Sequence, residues 1–187
     1  MQCTNRIGTS FLGAAALCGV TLLTQASGAA ESGTVAGAWQ HHKVTFSYSG
    51  LTSQYSCGGL ESQVRGILLH FGARPDLKVK ITGACERRPY ALSHTAWVDA
   101  DFYSLAPAAD SGAAGTVQAR WAGLNMAPKR PSFMGGGDCE LVDDMKDIVL
   151  NNFSLRDAQY RTSCNPREWT LGGYDVKAEA LKAAASS

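Results

Sequence analysis

Four cysteines constrain this chain more than any other feature. Six are present, but Cys3 and Cys18 fall in an N-terminal stretch with the marks of a removable leader, which leaves Cys57, Cys85, Cys139 and Cys164 for the mature protein. The leader shows a charged, then apolar, then small-residue order. Arg6 precedes the apolar run Phe11 to Leu23, and Ala26-Ser27-Gly28-Ala29-Ala30 follows. That order is the mark of a secretory signal peptide over residues 1–30, with cleavage expected between Gly28 and Glu31. Thirteen apolar residues fall short of the roughly 20 that span a bilayer, so no membrane span is expected after cleavage. Export to a periplasmic or extracellular space is oxidising, and an even cysteine count there predicts disulfides. None of the four forms a Cys-x-x-Cys pair, so zinc or redox roles have no spacing to support them.

Four cysteines allow three pairings, and an apparent internal repeat selects one. Val44 to Leu51 and Val117 to Leu124 both alternate as half-buried strands, and each run is followed by a cysteine where a helix would begin, Cys57 or Cys139. Leu60, Val64, Ile67 and Leu68 then share their spacing with Leu141, Met145, Ile148 and Val149, which gives each predicted helix one apolar stripe. Val79 to Cys85 and Ala158 to Cys164 read as short strands ending in the second cysteine. Closing strands carry Val98, Ala100 and Phe102 in one half and Tyr174, Val176 and Ala178 in the other. Two βαββ units built alike would pair Cys57 with Cys85 and Cys139 with Cys164.

The expected fold is therefore α+β: two βαββ pseudo-repeats forming a mainly antiparallel sheet of about six strands with two helices on one face. Residues 31–40 read as a flexible mature N-terminus, and 41–182 as one domain with repeats at about 41–105 and 116–182. Residues 183–187 read as a disordered tail.

A net charge of +1 over 187 residues argues against nucleic acid or an anionic membrane as partner. No cofactor motif is present. Serines are numerous, but none sits in a Gly-x-Ser-x-Gly elbow. Two places offer binding chemistry. The connection Asn125 to Asp138 is an insertion relative to the first half, and its Lys129, Arg130, Phe133 and Met134 combine positive charge with apolar surface. The closing strand of the first half sets Trp97 and Tyr103 beside Asp99 and Asp101, all on one strand face. The leading expectation is a non-enzymatic exported domain that binds a protein or cell-envelope partner through this loop and the open sheet face. One alternative is an exported hydrolase using Asp99, Asp101 and His94. The other is a metal-binding carrier using His41 or His42 with His94. His41 and His42 point to opposite sides of any regular strand, so the two cannot ligate together.

Overall fold

The computed structural model describes residues 33–83, 92–93, 95–108, 115–164 and 172–184. The chain divides after Glu31, and the architecture below belongs to the second unit. The predicted leader, Cys85, His94 and residues 185–187 lie outside the described residues.

Six strands form one wholly antiparallel sheet. β1 (Val35–Ser49), β3 (Lys78–Thr82), β5 (Thr95–Pro107), β6 (Thr116–Met126), β7 (Leu155–Thr162) and β8 (Tyr174–Ala183) lie in the order β3-β5-β1-β6-β8-β7. A two-residue pair, β2 (Tyr55–Ser56) with β4 (Leu92–Ser93), stands apart. The helices are α1 (Cys57–Phe71) and α2 (Cys139–Asn152). The expected α+β class with two helices on a mainly antiparallel sheet is what the chain adopts.

α1 begins at Ser56, whose hydroxyl accepts from the Gly59 amide at 3.1 Å, and ends at Gly72, whose φ of 102° is open to glycine at little cost. Its stripe Leu60, Val64, Ile67, Leu68 and Phe71 is buried. In α2 the buried apolar stripe is Leu141, Val142, Met145 and Val149, with Val142 taking the deep place expected of Ile148. Both stripes join one core with Tyr48, Val98, Ala100, Phe102, Tyr174, Val176 and Ala178. Fully burying each large apolar side chain contributes roughly 1.5–3 kcal/mol, so this layer dominates the stability.

Cys139, the first residue of α2, is bonded to Cys164 just past β7, as expected from the repeat. The bridge closes a loop 25 residues apart in sequence and ties the helix start to an edge strand. Cys57 is likewise disulfide-bonded.

Three expectations need correction. β1 begins at Val35, so residues 35–40 are strand rather than a flexible lead-in. Their alternation is hidden because Val35 and Trp39 pack on a second apolar cluster, on the other face of the sheet, around Leu105, Ala119 and Leu181. Ala183, expected in the tail, is strand, since β8 runs to Ala183. Finally, the match of Val44 with Val117 does not hold in space. Val44 packs on the helix-side core and Val117 on the opposite cluster, and a register displaced by an odd number of residues exchanges the two faces of a strand.

Both sheet edges are defended. β3 is short and carries Lys78 and Lys80, while β7 has a bulge between Arg156 and Gln159. Such features discourage edge-to-edge pairing with other chains.

Candidate functional site

The residues singled out in the sequence occupy two different sides of the sheet. Odd-numbered residues of β5 point away from the helices. Trp97, Asp99, Asp101 and Tyr103 lie opposite Ser47, Thr45, Lys43 and His41 on β1, and the first three also face Thr82, Lys80 and Lys78 on β3. The result is an uncovered strip with an aromatic residue at each end and an ionic ladder between.

At the ladder, Thr45 donates to Asp99 Oδ1 at 2.7 Å. His41 Nε2 lies 2.7 Å from Asp101 Oδ1, and Lys43 Nζ lies 3.7 Å from Asp101 Oδ2. The hydrogen bond from His41, with the charge of His41 and Lys43 behind it, holds the Asp101 carboxyl below the usual carboxylate range. Asp99 and Asp101 do share one face, but Asp101 is stabilised as an anion rather than tuned as an acid that donates a proton. A shallow depression of about 290 Å³ is lined by Lys43, Thr45, Lys78, Lys80, Asp99 and Asp101. A second, of about 370 Å³, is lined by Ser47, Ser49, Gly83, Thr95 and Trp97. The Trp97 side is open, with 56% of the residue exposed.

The Tyr103 end is built from residues that the sequence did not flag. Arg74 sits just past α1, where its guanidinium lies 3.8 Å over the Tyr103 ring and 5.7 Å from Trp39, and it pairs with Asp76 through two bonds of 2.8 and 2.7 Å. The His41 ring packs 4.8 Å from Tyr103 on the same strip. On the other half of the sheet Arg156 covers Trp121 at 3.8 Å. These stacks join residues 29 or more positions apart, and no local spacing announces them.

His42 points to the helix side, as alternation requires. It lies 2.9 Å from the Ser104 hydroxyl, which donates to the Asn152 carbonyl at 2.6 Å. Burial lowers its pKa, partly offset by a hydrogen bond with Asn152, so it serves as a neutral link between β1 and the end of α2. Among the described residues no three His, Cys, Asp or Glu side chains gather as metal ligands.

The 125–138 connection lies on the helix side, away from Trp97. Lys129, Arg130 and Phe133 are exposed, but Met134 is 2% exposed and belongs to the core. That removes Met134 from any contact surface, because its apolar side chain is taken up by packing. Phe133 lies against Gly66 of α1, where any larger residue would meet the ring within 3.0 Å. Gln63 of α1 donates to the Phe133 carbonyl and to Asp138. This connection therefore clasps α1.

Its end forms a second clasp. Asp138 closes the turn Gly136–Asp138 by accepting from the Gly135 amide and also accepts from the Tyr55 hydroxyl; its side chain does not cap α2 itself. Glu140, 4% exposed, accepts from the Leu51 amide, the Thr52 amide and the Thr52 hydroxyl at 2.9–3.0 Å. Ser53 donates to the Gly137 carbonyl, and the Ser49 amide donates to Asp144. The segment from β1 to α1 is thus pinned by the start of α2. Burial raises the Tyr48 and Tyr55 pKa values well above normal, the latter helped by Asp138, which keeps both phenols as donors.

Comparison with protein-family models, with curated proteins and with solved structures returns no match for this chain.

Proposed function

We propose that this protein is an exported, non-enzymatic binding module that recognises a protein or cell-envelope partner through the uncovered face of β3, β5 and β1. The observation that carries the reading is Trp97, 56% exposed at the end of a strip that continues through paired Lys and Asp side chains to the Arg74–Tyr103 stack. Trp, Tyr and Arg dominate the energetics of protein interfaces, and a flat strip with partnered carboxylates suits contact better than turnover. The disulfide Cys139–Cys164 and the absence, among the described residues, of a helix long and apolar enough to cross a membrane are in keeping with export.

We further read the domain as two βαββ units related by duplication. What supports this is the palindromic strand order, first-third-second in each half read from the centre outward. Aligning Cys57 with Cys139 also sets Trp39 on Trp121 and Arg74 on Arg156 without a gap, and each arginine lies near its own tryptophan, Arg156 at 3.8 Å and Arg74 at 5.7 Å. On this reading Cys57 pairs with Cys85.

Capture from a native envelope extract tests the binding face. Trp97→Ala should fold normally and lose the partner, whereas Lys129→Ala with Arg130→Ala should keep it. Equal capture by the Trp97 variant would refute the assignment. N-terminal sequencing of the fractionated protein tests export, and an intact Met1 in the cytosolic fraction would remove it.

A further inference from the structure

A cavity of about 90 Å³ lies between α2 and the strands β7 and β8, on the helix side and therefore separate from the Trp97 strip. Its cause is the bulge in β7. Leu155 stands opposite Ala180 and Tyr160 opposite Val176, and both β7 residues pack inward on the core. Between them the register slips, so Ala178 of β8 faces the bulge, where β7 offers only the small Ala158 side chain to the lining. The opposite edge has no such gap, since Val79 and Ile81 of β3 occupy successive inward positions. One apolar knob is missing from the second half, and the cavity is where it would sit.

The walls are Met145, Val149, Val176 and Ala178, with Lys146 and Gln159 as the polar members of the lining. Lys146 Nζ is held 5.0 Å over the Tyr160 ring, and the Tyr160 hydroxyl donates to Asp143 at 2.7 Å. Among the described residues Lys146 makes no ion pair. An apolar cavity with one cation at its margin selects a compact hydrophobic body with an anionic end. Size narrows the choice. Engineered apolar cavities of about 150 Å³ accept benzene, so this one takes a branched alkyl group of roughly four carbons or part of a single ring. The bulge also disfavours a peptide strand added along β7, which leaves a small molecule as the occupant.

We propose that this cavity is a binding site for a small branched-alkyl or single-ring carboxylate, with the apolar part seated opposite Ala178 and the carboxylate at Lys146. The test uses 3-methylbutanoate, benzoate and 3-methylbutanamide at millimolar concentration, followed through the methyl NMR signals of Met126 and Met145, both of which line the site. The carboxylates should shift these signals in the wild type and in Trp97→Ala alike. Ala178→Leu fills the gap and should abolish the shifts while the domain stays folded, and Val142→Leu narrows the same space from the helix side should that variant fail to fold. Lys146→Met should weaken the carboxylates about tenfold, as expected for loss of one charge-assisted contact, and leave the amide unchanged. Methyl signals that stay still in the wild type, or move equally in a folded filled variant, would overturn the proposal.

Discussion

Replacing Glu140 by alanine removes the acceptor for three donors at once. The Leu51 amide, the Thr52 amide and the Thr52 hydroxyl all lie within 2.9–3.0 Å of its carboxylate, and the residue is 4% exposed. A hydrogen bond to a charged group contributes about 1.5–3 kcal/mol net. Leu51 and Thr52 are only half-buried, so water can reach the released donors and the lower end applies. At about 1.5 kcal/mol for each of the three bonds, we expect Glu140→Ala to cost about 4.5 kcal/mol, which at a slope of about 2 kcal/mol/M lowers the urea midpoint by roughly 2 M. Glu140→Gln keeps one acceptor oxygen but turns an amide donor toward the remaining donors, so it should cost about 2 kcal/mol. The assay is tryptophan fluorescence in urea with disulfides intact, run as a cycle with Thr52→Ala. Coupling of about 1 kcal/mol between the two positions is expected. A loss below about 1 kcal/mol for Glu140→Ala, or strict additivity with Thr52→Ala, would show that the clasp is a surface contact and that the α2 start does not hold the 49–55 segment.

Met134→Ala should destabilise by about 2–5 kcal/mol, as expected for a buried large-to-small change, while Lys129→Ala and Arg130→Ala stay within about 0.5 kcal/mol; equal effects in chemical denaturation would deny the 125–138 connection its structural role. Burial, with the nearby Asp143 and Glu140 charges, pushes the Asp144 carboxyl up to about 6 despite the Ser49 amide. A raised carboxyl pKa means that ionising Asp144 opposes folding, so its contribution favours the native state below the unfolded value near 3.8 and is lost as pH rises through about 6. Asp144→Asn should therefore raise Tm relative to the wild type at pH 8 and show a shrinking gain between pH 6 and 4; a gain that persists unchanged below pH 4 would contradict the assignment.

Much of the architecture was readable from side-chain periodicity. The stripes of α1 and α2 and the alternation at Val98-Ala100-Phe102 and Tyr174-Val176-Ala178 are local patterns, and burial follows them except in α2, where Val142 rather than Ile148 is buried. β1 was harder. Its first part, Val35 to Gln40, carries apolar or small residues at successive positions up to Trp39, with Val35 and Trp39 on the second cluster, so the apolar-polar alternation that marks a half-buried strand never appears there. The 125–138 connection misled for a related reason, because a methionine in a glycine-rich loop looks exposed until the helix it clasps is in place.

The candidate strip divides along the same line. That Asp99, Asp101, Trp97 and Tyr103 share one face follows from the two-residue period of a strand, and that Cys139 meets Cys164 followed from matching one half to the other. Only the folded chain brings Arg74 over Tyr103, His41 to Asp101, or Glu140 beneath the Leu51 and Thr52 amides. Periodicity reports which way a side chain points from its own element. It holds nothing about which distant element stands opposite, and that is settled by strand order, register and a single bulge.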